Sequence, residues 1–217
     1  MRQILQQNKF YFILLGLYFL GIGLLVVLQE KGDAVLFLNG NHTPILDFFF
    51  KTITYLGDGL FAFPLIVIII LFKSIFRGVI MLSSVLISFI VVQSIKLYIF
   101  PGMPRPMKYF SETIKLHFVE GVDIHSYNSF PSGHSAQAFS IFLLIALFSK
   151  NKQLAVLYFI PAVLVTVSRM YLAQHFLMDI YFGALIATVI TFITYTYFMN
   201  HSALAQKERL QRGWISN

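Results

Sequence analysis

The chain has 217 residues, of which 58% are hydrophobic and only 12% are charged. About a quarter of the residues in a typical soluble domain are charged, so this composition excludes an ordinary soluble globular protein and favours one embedded in a membrane. The formal net charge of +7 indicates basic loops beside anionic lipid rather than a nucleic-acid partner, because no basic run interleaved with aromatic residues lies outside the membrane flanks.

Six apolar segments predict the fold. The first, residues 10–28, is uncharged and long enough to cross a bilayer, and we interpret it as a retained helix because no small-residue cleavage pattern follows it. The others are residues 60–72 (extended backwards through residues 52–59), 78–95, 133–149, 153–168 and 180–200. The sequence therefore predicts an all-α, six-transmembrane helical bundle formed by a single domain over residues 1–217.

The loops between these segments alternate in charge. Basic residues are concentrated in four flanks on one side: Arg2, Lys9, Lys73, Arg77, Lys150, Lys152, Lys207, Arg209 and Arg212. The positive-inside rule then predicts that both termini are cytoplasmic. The opposite, outer face carries a long polar loop, residues 100–130, which is rich in turn-forming residues. Loops of that length are usually functional, so we expect the active site at this face.

Three polar clusters stand where the predicted helices meet the outer face. Because the chain has no cysteine, thiol nucleophiles and Cys-ligated zinc are excluded, and these clusters carry the remaining candidate chemistry. Residues far apart in sequence meet at one end of a bundle when its helices pack together. The clusters are Lys96 with Arg105-Pro106, then Pro131-Ser132-Gly133-His134, then Ser168-Arg169 with His175 and Asp179.

The second cluster directly precedes an apolar helical run. Backbone N–H groups of Ser132 and Gly133 at a helix N-terminus would favour an anion, and the lack of a Cβ on Gly133 would let a phosphate oxygen approach closely. The Ser132 hydroxyl would add a donor. The same residue types also make a simple helix cap and turn, so this cluster alone leaves both interpretations open.

The third cluster pairs a histidine with a carboxylate. His175 and Asp179 are four residues apart and would share one face of a helix, so Asp179 could accept a hydrogen bond from one ring nitrogen and raise the basicity of the other. An imidazole oriented in this way is a good nucleophile toward phosphorus. A simple helix-surface pair or a metal ligand is the alternative, and a metal is disfavoured because the converging charges are mostly positive.

An excess of cations distinguishes a phosphate site from these alternatives. Lys96, Arg105 and Arg169 would repel one another unless an anion lay between them, and a dianionic phosphate would neutralise them. Contact with lipid headgroups is the alternative for basic residues at helix ends, and we prefer it for Lys108 and Lys115.

Taken together, the three clusters resemble the motifs of the type 2 phosphatidic acid phosphatase and vanadium haloperoxidase superfamily. The second and third motifs match in full, from Pro131 to His134 and from Ser168 to Asp179. The first departs from the pattern, because eight residues rather than six separate Lys96 from Arg105. A two-residue bulge within residues 99–104 would restore the geometry. The resemblance covers residues 96–179 by motif and the rest by hydrophobic pattern.

The resemblance implies a division of roles. His175 would attack phosphorus in line, Asp179 would orient it, and His134 would protonate the leaving oxygen and then activate water. The implied phosphate ligands are Lys96, Arg105, Ser132, Gly133 and Arg169. No metal or organic cofactor is implied. The implied partners are the bilayer and a membrane lipid phosphate, in a bacterial inner membrane with the active site on the periplasmic side.

The substrate is left open among undecaprenyl diphosphate, phosphatidylglycerol phosphate, phosphatidic acid and lipid A phosphates. A lipid phosphotransferase on the same scaffold is one alternative, and a transporter or scramblase without chemistry is a weaker one, because the ionisable residues cluster at one face rather than at the midplane. Selectivity is expected from residues 107–129, in which we interpret His117, Asp123 and His125 as solvated.

Overall fold

The computed structural model describes residues 2–110, 114–201 and 206–215. Within these ranges the chain forms eleven α-helices and no strand, which confirms the all-α prediction. The helices are α1 Arg2–Gln7, α2 Lys9–Leu28, α3 Asp33–Gly40, α4 Pro44–Ile53, α5 Gly59–Phe72, α6 Ile75–Ser94, α7 Pro106–Phe110, α8 Gly133–Phe148, α9 Ala155–Tyr171, α10 Leu177–His201 and α11 Glu208–Gln211. Short 3-10 turns cover Thr54–Gly57 and Lys152–Leu154, and a π-helical turn covers Ile95–Ile99.

Helix α8 lies at the centre of the bundle and packs against α6, α9 and α10. Most of its side chains are buried, and they form the main hydrophobic core together with residues of the surrounding helices. Its buried Ser140 accepts a hydrogen bond from Thr191 at 3.0 Å and lies 3.2 Å from the hydroxyl of Ser88. These bonds satisfy hydroxyl groups that would otherwise be buried without partners.

The periphery of the bundle is apolar as well. Only three residues of α2 are buried, and the large apolar side chains Leu20, Val27, Leu60 and Phe63 are exposed on α2 and α5. A soluble monomer rarely exposes so much contiguous apolar surface, so these faces are suited to contact lipid tails.

Helix length and hydropathy support four or five of the six expected spans among the described residues. Four helical stretches are long and apolar enough to cross a membrane, and a fifth arises if α4 with its 3-10 turn and α5 form one span bent by 51°. The predicted fourth span forms α8, which has only 16 residues. At about 1.5 Å per residue, such a helix is shorter than the hydrocarbon core of about 30 Å.

The basic flanks come together at one end of the bundle. The Arg77 guanidinium lies 5.6 Å from the ring centroid of Phe148, at the end of α8. The backbone of Arg212 accepts a hydrogen bond from Ile75 at the start of α6. Lys152 shares a small cavity with Asn8, just before α2. The basic flanks that the sequence assigns to one side of the membrane thus lie at one end of the fold, and the three polar clusters lie at the other end.

Candidate active site

A cavity of about 270 Å³ lies at the end of the bundle opposite the basic flanks. It is lined by residues from all three clusters, which the sequence separates by up to 79 positions, from Lys96 to His175. The cluster residues in its lining are Lys96, Arg105, Gly133, His134, Arg169 and His175. Two of the predicted site residues, Ser132 and Asp179, are buried behind this lining rather than in it.

A tight turn after α9 places His175 beside Arg169. Ala173 adopts a left-handed conformation with φ of 53°, and the amides of Gln174 and His175 both donate to the Arg169 carbonyl at 2.9 and 3.1 Å. This pattern satisfies carbonyl groups at a helix C-terminus and reverses the chain. The imidazole therefore returns to the level of the preceding guanidinium, and both line the same cavity.

His175 and Asp179 do not share a helix face, as the sequence had suggested, because His175 precedes α10 and Asp179 lies in its first turn. Their side chains nevertheless meet, with Nδ1 3.4 Å from Oδ2. The geometry does not complete a hydrogen bond, since Nδ1 remains without a partner. The same carboxylate oxygen accepts hydrogen bonds from the Ser129 hydroxyl and from the Phe176 amide.

The start of α8 presents unpaired amides to the cavity. Ser132 caps this helix, because its hydroxyl oxygen accepts hydrogen bonds from the amide and hydroxyl of Ser135. Its own amide donates to the carbonyl of Asp179 at 2.9 Å. This amide is therefore already paired, whereas the sequence predicted that it would donate to a phosphate. Among the described residues, the amides of Gly133 and His134 have no acceptor. These two groups are the ones that a bound anion would meet.

A π-helical turn at Ile95–Ile99 places Lys96 in the site despite its unusual spacing from Arg105. The expected bulge within residues 99–104 is therefore located earlier in the chain, at the end of α6. A π turn adds a residue to the helical repeat and often occurs at functional sites. Lys96 is only 9% exposed, and its ammonium has no hydrogen bond or ion pair with any residue that the structure describes.

Arg105 is held in place by neutral oxygen atoms. Its Nε donates to the carbonyl of Tyr127 at 2.9 Å, and its Nη1 donates to the side-chain oxygen of Gln174 at 3.1 Å. Its backbone amide donates to the carbonyl of Ser126 at 2.9 Å, which fixes the chain beside the long loop. Neutral acceptors orient the guanidinium without neutralising it, so its charge remains available to an anion.

Arg169 is 6% exposed and incompletely paired. One Nη donates to the Thr54 hydroxyl at 2.8 Å, whereas its Nε is buried with no hydrogen-bond partner. A buried, unsatisfied donor on a cation is costly and usually marks a place where a ligand binds. Among the described residues, no carboxylate forms an ion pair with Lys96, Arg105 or Arg169.

Burial, together with this concentration of positive charge, lowers the pKa of His175. Burial and the neighbouring Arg105 and Arg169 guanidinium groups hold the pKa of His175 well below its ordinary value. Burial also lowers the pKa of Arg105, and the Asp179 carboxylate opposes that shift. The His175 ring is therefore neutral near pH 7 and keeps a lone pair for attack on an electrophile. Since Nδ1 faces Asp179, the ring nitrogen that remains free is Nε2.

Several residues of the site were not singled out from the sequence. Asp58 lies 3.4 Å from Nε2 of His134, and it caps α5 by accepting a hydrogen bond from the Leu60 amide at 2.9 Å. In the sequence, Asp58 directly precedes an apolar helical run, and this position indicates only a helix cap. The others are Thr54, Ser129 and Gln174, which hold Arg169, Asp179 and Arg105 as described above.

The loop residues interpreted as solvated have three different environments. His125 is exposed but lines the mouth of the cavity, so it faces the site rather than bulk solvent alone. Asp123 is exposed, and its carbonyl accepts a hydrogen bond from Gln174 at 3.1 Å. His117 lies outside the cavity, half-buried, 3.0 Å from Asp47.

Similarity to known proteins agrees with this geometry. The sequence model of the PAP2 superfamily matches residues 77–203, more than half of the chain. Phosphatidylglycerophosphatase B of Bacillus subtilis strain 168 is 31% identical over 154 residues, which cover 65% of this chain and 70% of the relative.

Two crystal structures share the fold. LpxE of Aquifex aeolicus superposes with a TM-score of 0.66 at 26% identity, covering 77% of this chain and 95% of LpxE. A transmembrane PAP2-type phosphatidylglycerolphosphate phosphatase from Bacillus subtilis superposes with a TM-score of 0.64 at 24% identity, covering 94% of this chain and 99% of its own. The resemblance expected from the three motifs is therefore confirmed, and the chain belongs to the PAP2 superfamily.

Proposed function

We propose that this protein hydrolyses the phosphate of a membrane lipid through a phosphohistidine formed on His175, without a metal ion. One observation carries the proposal: three buried cations without carboxylate partners and two unpaired amides surround a cavity that also holds a neutral imidazole. A phosphate dianion is the ligand that would satisfy all of these groups at once.

In the first step, Nε2 of His175 attacks phosphorus with its lone pair as the bond from phosphorus to the lipid oxygen breaks. Lys96, Arg105 and Arg169 stabilise the charge on the equatorial oxygens, and the amides of Gly133 and His134 bind one of them. His134 enters this step in its protonated form, beside the bound phosphate dianion and 3.4 Å from the Asp58 carboxylate, and gives its proton to the departing oxygen. Asp179 stabilises the positive charge that develops on the His175 ring through Nδ1.

In the second step, water attacks the phosphohistidine. His134, now neutral, takes a proton from that water, the oxygen forms a bond to phosphorus, and the N–P bond breaks to release inorganic phosphate. The ring of His175 returns to its neutral form. His134 is suited to both proton transfers because, at the start of α8, it lines the same cavity as His175.

The substrate class follows from the membrane setting and from the relatives. The curated relative is named as a phosphatidylglycerophosphatase, so phosphatidylglycerol phosphate is the first substrate to test. Phosphatidic acid, undecaprenyl diphosphate and lipid A phosphates complete the panel, because the cavity contacts that we describe recognise a phosphate rather than the rest of a headgroup.

Phosphate release from this panel tests the proposal. Purified protein in EDTA should release inorganic phosphate from at least one lipid, and vanadate should inhibit the release. His175→Ala should abolish activity, whereas His42→Ala, an exposed histidine outside the cavity, should retain it in EDTA. Activity that EDTA abolishes and a metal restores, in His42→Ala as in wild type, would contradict the mechanism, and phosphate found on a second lipid would instead establish phosphotransfer.

We also propose that the cavity faces the extracytoplasmic side of the inner membrane and that both termini are cytoplasmic. The chain contains no cysteine, so single cysteines report their own accessibility. Lys115→Cys, near the cavity end, should react with a membrane-impermeant maleimide in intact cells, and Lys150→Cys, at the basic end, should react only after lysis. Both side chains are exposed. The reverse pattern would show the opposite orientation.

A further inference from the structure

A second group of ligating side chains lies at the same end of the bundle, outside the catalytic cavity. It consists of His42, just before α4, Asp47 in α4, and His117 in the long loop before α8. One nitrogen or oxygen atom from each lies within 4.8 Å of the others. The two imidazole rings stack with centroids 3.6 Å apart and planes 6° from parallel, and Nε2 of His117 lies 3.0 Å from Oδ2 of Asp47.

Buried partners hold two of these three residues in place. The Tyr171 hydroxyl donates a hydrogen bond to Oδ1 of Asp47 and leaves Oδ2 facing His117. Asn39, which is 2% exposed, accepts from the His117 amide at 2.9 Å and donates to the His117 carbonyl at 2.8 Å. Its side chain also donates to the Tyr171 carbonyl at 2.8 Å. Hydrogen bonds that orient ligands from behind are typical of metal sites.

We propose that His42, Asp47 and His117 bind a divalent transition-metal ion, with Zn²⁺ as the best match. Two imidazole nitrogens and one carboxylate oxygen form a ligand set that zinc favours, and water would complete a tetrahedron. Bonds of about 2.0–2.1 Å place tetrahedral ligand atoms roughly 3.3 Å apart. The His117–Asp47 separation of 3.0 Å is close to this spacing, and the exposed His42 ring, which lies parallel to the His117 ring, would turn about its side-chain bonds to direct a nitrogen at the ion. Magnesium and calcium are disfavoured because they require mainly oxygen ligands.

The position of the site indicates a structural role. His117 belongs to the segment 114–130, and the same segment supplies the Tyr127 and Asn128 carbonyls that hold Arg105. His42 and Asp47 belong to the connection between α3 and α4. A bound ion would join these two segments and restrain the loop beside the cavity, without taking part in phosphate chemistry. This inference does not depend on the proposed function.

Metal stoichiometry tests the site directly. Full-length protein in detergent is stripped with a chelator, incubated with Zn²⁺ and passed through gel filtration before elemental analysis. Wild type should retain one Zn²⁺ per chain, and His42→Ala and His117→Ala should each weaken binding at least tenfold. His175→Ala and His134→Ala serve as matched controls and should retain the ion, because both lie in the other cavity. Replacing Zn²⁺ by Co²⁺ should give the intense visible absorption of a tetrahedral site.

His42→Ala is the decisive variant because its exposed side chain has little part in the fold, and its melting temperature in EDTA should equal that of wild type. Zinc should slow tryptic cleavage after Lys115 in wild type and not in His42→Ala. Retention of Zn²⁺ by His42→Ala, absence of Zn²⁺ from wild type, or its loss in His175→Ala would each overturn the assignment. Cleavage after Lys115 that zinc leaves unchanged would overturn the restraint of the loop.

Discussion

The Nδ1 atom of His175 lies 3.4 Å from Oδ2 of Asp179, and that oxygen is already held by the Ser129 hydroxyl and the Phe176 amide. The carboxylate is therefore fixed before a substrate binds, and only a small movement of the ring separates the pair from a hydrogen bond. Asp179 lies outside the cavity lining, so in the proposed mechanism it would act on the reaction through His175.

Loss of this carboxylate should slow the chemistry more than it weakens binding. We expect Asp179→Asn to lower kcat roughly 100-fold with little change in KM, because the imidazolium that forms would lose its counter-charge. Ser129→Ala, which removes one anchor of the carboxylate, should lower kcat by about tenfold or less. Steady-state kinetics with a soluble lipid phosphate measure both, and a pure KM effect of Asp179→Asn would contradict its assigned role.

Gly133→Ala should damage phosphate binding while preserving the fold. A Cβ at this position meets no atom within 4 Å, so the methyl group would extend into open space at the cavity lining. We expect about a tenfold weaker inhibition by vanadate and a raised KM, because a phosphate oxygen could no longer approach the amide closely. Gly16→Ala is the matched control, since its Cβ also meets nothing but lies on α2. Unchanged vanadate inhibition would show that no oxyanion approaches Gly133.

Gly183→Ala should destabilise the protein. Its Cβ would lie 2.4 Å from the Ser132 carbonyl oxygen, which is a contact with backbone that no side-chain rotation can relieve. Overpacking of this kind costs about 1–3 kcal/mol, and it would also separate the start of α8 from α10. A lower melting temperature in detergent and reduced activity are expected. Gly21→Ala, with no atom within 4 Å of its Cβ, should melt like wild type. Equal melting of the two variants would refute this close contact.

The stability of the protein should depend on His175 in acid. Its pKa in the folded protein is lowered by burial and by Arg105 and Arg169, so the unfolded chain binds a proton at a pH where the folded chain does not. The resulting loss in the free energy of unfolding is absent above about pH 6.5, the pKa of an unperturbed histidine. It grows as the pH falls below that value. Melting temperatures of wild type should therefore fall more steeply with acid than those of His175→Asn. Parallel curves would argue against a lowered pKa.

Asp58→Asn should reduce turnover through His134. Asparagine keeps the acceptor that caps α5 but removes the negative charge 3.4 Å from Nε2 of His134. We expect kcat to fall about tenfold with KM nearly unchanged, in the range typical of residues that orient a catalytic group. Asp58→Ala should add a loss of stability of about 1 kcal/mol, because it removes the cap as well. Wild-type turnover by Asp58→Asn would exclude a role for this charge.

The residues that meet in the candidate site could be predicted from the sequence because their signals are local. Pro131 to His134 and Ser168 to Asp179 stand at fixed spacings beside apolar helical runs, and those runs also indicated an all-α membrane protein. The count of six spans stays a prediction, because α8 has only 16 residues and α4 continues through a bend into α5. A hydropathy pattern records which segments are apolar and not how they are joined.

The sequence by itself determined the helices, the basic and polar ends, and the residue types at the candidate site, because these depend on composition and near-neighbour spacing. The tertiary structure decided which groups meet. It showed the π turn that returns Lys96 to the cavity, the use of the Ser132 amide by Asp179, and the approach of Asp58 to His134. Contacts between distant segments depend on how the helices pack and on backbone displacements of a few ångströms. No local pattern in the chain encodes such contacts.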